Sequence, residues 1–262
     1  MKIRTFFWLL VLGLALWAGC RTLPPSPPPV TTISSEELLA RLRSRQQQVQ
    51  SFQAKGRITF LASQQNYSGT AVLTGRLPNN LKVDVLDFLG RTILSFATDG
   101  AEVKILSPRE NKLLRGPATP GNLAAFIPPT VSLPQALRLL VGALPLSPGP
   151  PDHFDYQSAT GRYLLEWRQG SALTERLWVD AQGLYPVAEE WFGGAAEPRF
   201  TAELANFGAL APDLPEKITL KSATPKMELR LVYHSLKLNP PLTPAQLTLA
   251  PSVGMAEVPL GK

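Results

Sequence analysis

The segment 81-LKVDVLDFLGRTILSFATDGAEVKIL-106 contains three short runs in which apolar and polar residues alternate, and two turn sequences separate these runs. Alternation with a period of two is the pattern of a β-strand with one buried face. The dipeptide Asp99-Gly100 favours the tight turn of a β-hairpin. The segment therefore predicts three consecutive antiparallel strands that are joined by hairpins.

The same pattern recurs along most of the chain at spacings near ten residues, and Asn79-Asn80 and Gln182-Gly183 are further hairpin turns. The runs are 56–62, 69–75, 81–87, 92–98, 102–106, 162–167, 175–180, 186–192, 199–204, 217–221 and 227–233. About eleven short strands joined by turns predict a mainly β protein, built as an antiparallel meander, a sandwich or a barrel.

Two segments depart from the period of two. Ser34 or Ser35 can cap a helix, and apolar residues at helical spacing predict that this helix continues through Gln53. The segment 132–144 begins with a capping Ser132 and also has helical spacing. It has two interpretations: an ordinary core helix that covers the sheet, or a lid over a cavity.

The first nineteen residues have the layout of a secretory signal peptide, because Lys2 and Arg4 precede an apolar run over 6–18. This run is shorter than the roughly 20 apolar residues that a membrane-spanning helix needs. The alternative is an N-terminal helix that is not cleaved.

The only cysteine of the chain, Cys20, follows Ala18 and Gly19 directly after this apolar run. The sequence Ala-Gly-Cys resembles the lipobox of bacterial lipoproteins, which implies cleavage before Cys20 and acylation of its thiol and of the new N-terminus. A lone cysteine can instead be a buried apolar residue, but its position at this junction favours lipidation. Several acyl chains on one residue are sufficient for stable membrane anchoring.

The segment 21-RTLPPSPPPVTT-32 has the proline density of an extended, semi-rigid tether. The predicted organisation is a signal peptide over 1–19, a lipidated cysteine and tether over 20–33, and one domain over 34–262. Loss of the signal peptide lowers the net charge from +6 to +4, and no block of Lys and Arg is present. These features argue against a nucleic-acid-binding protein.

Motifs for catalysis or metal binding are absent from the sequence. The two histidines, His153 and His234, lie in different predicted elements, and no HExxH, GxSxG, P-loop or GxGxxG pattern occurs. Glu189 and Glu190 are neighbours on a predicted strand, so their side chains point to opposite faces and cannot act as a pair. We therefore predict that the protein is not an enzyme and uses no metal or cofactor; an esterase-like activity would require a nucleophile beside one of the histidines.

Residues 34–250 resemble the LolA/LolB family of lipoprotein carriers, and within it the LolB outer-membrane acceptors. The stretch 52-FQAKGRITF-60 is similar to the entry into the first strand of the family, and 81–106 follows the LolB layout of strands and turns. The stretches 133-LPQALRLLVGALPLS-147 and 177-LWVDAQGLYPVAEEWF-192 are similar to a family helix and a family strand pair.

This resemblance implies an incomplete antiparallel β-barrel whose concave apolar face is closed by helices and houses acyl chains. It implies a monomeric outer-membrane lipoprotein, facing the periplasm, that accepts lipoprotein cargo from a LolA-like periplasmic carrier and inserts it. LolB proteins use an exposed leucine in one turn for delivery to the membrane, and Leu89 in 87-DFLG-90 matches it, with Phe88 beside it. The alternative is a leucine buried under the turn. Arg21 stands where a signal for inner-membrane retention has Asp, which favours the outer membrane.

Side chains alternate between the two faces of a strand, so every second residue shares a face, which we call strand parity. Strand parity and helical spacing then predict which residues line the lipid cavity. They are Phe60, Val83, Val85, Leu94, Phe96 and Trp167 from strands, and Leu137, Leu140 and Val141 from the segment 132–144. The alternative is that these aromatic and aliphatic side chains only form a core. A second functional hypothesis is a non-catalytic envelope lipoprotein of the same fold that recognises a protein or glycolipid partner, as a structural or sensory component, without transferring cargo.

Overall fold

The computed structural model describes residues 33–62, 66–124, 126–127, 131–211, 213–250 and 254–260. The predicted signal peptide, Cys20 and the proline-rich tether lie outside these residues. The helices are α1 (Ser35–Gln48), α2 (Pro120–Leu123) and α3 (Leu133–Leu139). No helix in the described ranges combines the length and the apolar character needed to span a bilayer.

Within the described residues, fourteen strands form one sheet. They are β1 (Ser51–Ala62), β2 (Asn66–Arg76), β3 (Asn80–Leu86), β4 (Thr92–Thr98), β5 (Glu102–Ser107), β6 (Lys112–Pro117), β7 (His153–Gln157), β8 (Arg162–Gln169), β9 (Ala172–Asp180), β10 (Pro186–Trp191), β11 (Phe200–Ala211), β12 (Leu214–Ala223), β13 (Lys226–Leu238) and β14 (Ala256–Pro259).

The order of strands in the sheet is β14-β6-β5-β4-β3-β2-β1-β13-β12-β11-β10-β9-β8-β7. Two meanders, β1 to β6 and β7 to β13, are therefore joined by the pairing of β1 with β13. All neighbours are antiparallel except β14, which runs parallel to β6. Because β14 and β7 do not pair with each other, the sheet stays open, which confirms the predicted mainly β, incomplete antiparallel barrel.

The first helix ends earlier than predicted. Ser34 caps it as expected, because its hydroxyl accepts a hydrogen bond from the N–H of Glu37 at 3.2 Å. The backbone becomes extended at Val49, and Phe52 lies in β1 instead of on the helix. Phe52 is fully buried where β1 pairs with β2 and β13, so the pairing of strands outweighs the helical spacing of these apolar residues.

Helices α1 and α3 cover one face of the sheet, here called the concave face. Buried leucines fix both helices: Leu38, Leu39 and Leu42 on α1, and Leu137 and Leu139 on α3. Each fully buried leucine contributes roughly 1.5–3 kcal/mol of transfer free energy. The N-terminus of α3 is closed by a capping box in which Ser132 and Gln135 exchange hydrogen bonds.

After β13, which lies in the middle of the sheet, the chain runs to the edge of the sheet formed by β6. A 3-10 helix, Pro244–Leu247, contacts β2 and β3, and Leu247 and Leu249 are buried. Strand β14 then pairs with β6 over four residues. This C-terminal segment covers an edge that would otherwise expose unpaired backbone groups.

Candidate lipid-binding site

A cavity with an almost entirely apolar lining, here called the main cavity, lies between the concave face and α3 and has a volume of about 200 Å³. Its walls come from β1 to β4, from β11 to β13 and from the segment around Phe126, and they are apolar apart from the hydroxyls of Tyr67 and Ser222. Ligand pockets are commonly about 300–1,000 Å³. The cavity therefore suits part of a narrow apolar chain.

Six of the nine predicted cavity residues come together in this cavity. They are Phe60, Val83, Val85, Leu94, Phe96 and Leu140. Four of them lie together because β3 and β4 pair in register, with Val83 opposite Phe96 and Val85 opposite Leu94. Cross-strand partners share a face of the sheet.

The other three predicted residues do not line the main cavity. Leu137 is fully buried, but it lies on a different side of α3 from Ala136 and Leu139, which do line the cavity. The helix ends with Leu140 as its C-cap, so Val141 follows another direction and lines a second cavity. Trp167 lies on β8, three strands away from β11 in the sheet, and its indole nitrogen is 3.5 Å from the carbonyl oxygen of Gly149.

The cavity also contains residues that the sequence did not single out. Ile58 has the same parity on β1 as Phe60 and could have been found in that way, whereas Leu231 and Leu229 on β13 follow from their pairing with Ile58 and Phe60. Phe126 packs against Phe96 with ring centroids 4.5 Å apart. Phe126 lies in a segment without a periodic pattern, so the sequence carries no signal for its position.

The turn between β3 and β4 presents two large apolar side chains to solvent. Phe88 is 93% exposed and Leu89 is 63% exposed, so Leu89 is not buried under the turn. The carboxylate of Asp87 holds the turn, because it accepts hydrogen bonds from the N–H groups of Leu89 and Arg91 at 2.9 Å. The hydrogen bond that the backbone N–H of Arg91 donates to the Asp87 carboxylate is the main reason that the pKa of Asp87 is lowered.

The main cavity extends along β3 from Leu81 to Val85 and so reaches the neighbourhood of this turn. Val85 and Leu94 line the cavity and pair with each other one step before the last pair of the hairpin, Leu86 and Thr92. Among the described residues, the exposed large hydrophobic side chains are Phe88, Leu89 and Ile93, and all three belong to this hairpin. Exposed apolar side chains that cluster in this way mark a contact site for a membrane or a protein.

A buried pair of carboxyl groups lies elsewhere on the sheet. Glu189 is fully buried on β10 and interacts with Glu175 on β9, while Glu190 points the other way, 3.3 Å from Arg176. The hydroxyl of Ser147 donates a hydrogen bond to Glu175. Burial, and then the neighbouring Glu175, raises the pKa of Glu189 well above its usual range, and burial also raises the pKa of Glu175.

The two histidines do not form part of a cluster. His153 and His234 are exposed, on β7 and β13 respectively. The carboxylate of Asp152 accepts a hydrogen bond from the backbone N–H of Arg168 at 2.6 Å. In the part of the chain that the structure describes, no group of three or more His, Cys, Asp or Glu side chains is arranged to hold a metal ion.

Solved structures with a similar fold include a LolA superfamily protein from Nitrosomonas europaea, 15% identical, with a TM-score of 0.50, over 83% of this chain and 99% of that chain. A domain from Vibrio parahaemolyticus, provisionally described as an outer membrane lipoprotein-sorting protein, is 12% identical, with a TM-score of 0.51, over 82% and 97% of the two chains. A DUF1329 family protein from Desulfovibrio piger is 8% identical, with a TM-score of 0.55, over 82% and 95%.

No protein-family model matches the sequence, and a search of curated proteins found no match. At identities of 8–15%, the similarity to solved structures establishes the fold alone. It confirms the LolA/LolB-like fold that the sequence predicted.

Proposed function

We propose that this chain, whose fold is LolA/LolB-like, is an outer-membrane lipoprotein that binds acyl chains in the main cavity and inserts lipoproteins into the membrane. The observation that carries the proposal is the exposed Phe88-Leu89 turn near one end of the main cavity. A cargo chain that left the cavity at this end would enter the bilayer beside the turn.

The proposed activity needs no covalent chemistry. An acyl chain in the main cavity is stabilised by burial of apolar surface, at about 25 cal/mol per Å². Cargo can leave because the bilayer buries the whole chain, whereas a cavity of about 200 Å³ buries only part of it unless α3 shifts. The free energy of transfer therefore favours delivery from the protein to the membrane.

Cys20 and the tether would keep the domain close to the membrane. Acylated Cys20 is the anchor, and the twelve residues 21–32 span about 37 Å if they are extended. That reach allows the turn to contact the membrane while the domain faces a LolA-like carrier in the periplasm. Arg21 stands where a signal for inner-membrane retention has Asp, which supports the outer membrane as the site of anchoring.

The test is transfer of a lipoprotein from a loaded carrier to liposomes that hold the mature, lipidated chain. Replacing Phe88 and Leu89 with glutamate should abolish transfer, because two charges cannot enter the apolar part of the bilayer. The matched control replaces Ala195 and Ala196, two exposed neighbours in the β10–β11 connection, with glutamate and should transfer normally.

Normal transfer by the Phe88→Glu, Leu89→Glu variant would contradict the proposed role of the turn. A second outcome separates the two functional hypotheses. If the wild-type chain binds lipid but never releases it to liposomes, the protein is a binding module that recognises its lipid without transferring it.

A further inference from the structure

A second cavity, of about 460 Å³, lies at the other end of the concave face. It is enclosed by the C-terminal half of α1, by residues 141–146 and by the ends of β11, β12 and β13. Leu42 and Val141 are almost fully buried and form its base, and Leu236 and Leu238 form one wall. Its volume is within the usual range of small-molecule sites.

A packed wall separates the second cavity from the main cavity. Tyr233 is buried on β13, and its hydroxyl donates a hydrogen bond to the carbonyl oxygen of Leu140 at 2.6 Å. On one side of this bond, Leu140 and Leu231 line the main cavity. On the other side, Val141 and Leu236 line the second cavity. The two cavities can therefore bind ligands independently.

The mouth of the second cavity has one cation and one anion side by side. Arg45 and Asp213 both line it, and their side chains are 38% and 55% exposed. Their N–O distance is 3.6 Å, the longest of the ion pairs among the described residues. Such an exposed pair contributes only about 0–1 kcal/mol, so a ligand can separate its partners at little cost. Arg45 is held in place by a 2.9 Å hydrogen bond to the carbonyl oxygen of Leu184.

We propose that the second cavity binds a single-chain phospholipid with a zwitterionic headgroup. Its acyl chain would lie against Leu236 and Leu238, its phosphate would pair with the Arg45 guanidinium, and its ammonium group would donate to the Asp213 carboxylate. Both charges of the headgroup would then be matched by charge-assisted hydrogen bonds. An anionic headgroup would match Arg45 but would place negative charge beside Asp213. This site requires neither lipoprotein cargo nor transfer.

The test uses the mature chain with Cys20→Ser, which keeps the protein in solution, and two lysophospholipids with the same 16-carbon chain. Titration calorimetry with monomeric lipid should show tighter binding of lysophosphatidylethanolamine than of lysophosphatidylglycerol. Leu236→Trp should weaken binding of the ethanolamine lipid at least tenfold. Lys237→Trp is the matched control, because it places the same indole on the same strand at an exposed residue that lines neither cavity.

Asp213→Asn then tests recognition of the headgroup without disturbing the apolar interior. It should weaken binding of the ethanolamine lipid about tenfold and leave binding of the glycerol lipid unchanged or stronger. The proposal is wrong if the ethanolamine lipid fails to bind, or if Lys237→Trp weakens its binding as much as Leu236→Trp does. Equal affinities of the wild-type chain for the two lipids would also refute it.

Discussion

Replacement of Phe88 and Leu89 with alanine should greatly weaken the affinity of the mature Cys20→Ser chain for neutral lipid vesicles. A fully buried Phe or Leu side chain contributes roughly 1.5–3 kcal/mol. Because these side chains are 93% and 63% exposed in solution, almost all of the Phe88 surface and more than half of the Leu89 surface become buried on insertion. The loss on truncation is therefore about 2–5 kcal/mol, which is at least about 30-fold in the partition coefficient.

The measurement is sedimentation of the mature Cys20→Ser chain with phosphatidylcholine vesicles over a range of lipid concentrations. Binding by apolar side chains to neutral lipid should also change little between low and high salt. Alanine in place of Arg91, which is exposed beside the turn, serves as a control for charge. A loss of less than threefold in the double-alanine variant would refute the reasoning, because the turn would then not be the part that contacts the membrane.

Three further substitutions test buried groups and the cap of α3. The pKa of Glu189 is raised, so the wild-type free energy of unfolding should fall as the pH rises from about 4.5 toward that pKa. Thermal melts from pH 5 to 9 should show the full fall in the Glu190→Gln control and a smaller fall in Glu189→Gln, where burial still raises the pKa of Glu175; equal falls in the two variants would contradict this. Tyr233→Phe leaves the buried carbonyl group of Leu140 without its hydrogen-bond partner. It should lower the free energy of unfolding, measured in urea, by about 1–3 kcal/mol. An unchanged free energy of unfolding would show that water replaces the hydroxyl. Ser132→Ala removes the cap of α3 and should lower the free energy of unfolding by about 0.5–2 kcal/mol, whereas an unchanged midpoint would show that the cap is not stabilising.

Alternation of apolar and polar residues was enough to predict most of the sheet. It missed three strands for separate physical reasons. Strand β6 contains Gly116 and Pro117, and β7 is only five residues long. Strand β14 exists because the C-terminal segment reaches β6, far away in the sequence, and local patterns carry no information about such a pairing.

The residues of the candidate site could be predicted only in segments whose secondary structure could also be predicted. Parity identified Val83 and Val85, whose strand is regular. Helical spacing did not place Leu137 in the cavity, because it shows that a helix has a buried side but not which neighbour covers it. Parity did not place Trp167 there either, since it gives the face of the sheet and not which strands line the cavity.

Long-range pairing explains the features that the sequence did not reveal. Glu175 and Glu189 interact because β9 and β10 pair in one particular register, and neither residue is unusual in its own segment. The second cavity is assembled from α1, residues 141–146 and three strand ends. The interpretations of the segment 132–144 are compatible, because α3 packs in the core through Leu137 and also covers the main cavity through Leu139.

Photo-cross-linking of a bound lipoprotein tests the central claim most directly. The cargo would have a diazirine near the end of one acyl chain, and mass spectrometry would identify the labelled residues of the mature, lipidated chain. The account predicts labels on residues of the main cavity such as Phe60, Leu94 and Leu229. These labels should disappear once liposomes have received the cargo. Labels confined to the outside of the sheet, or labels in the main cavity that persist after incubation with liposomes, would contradict it.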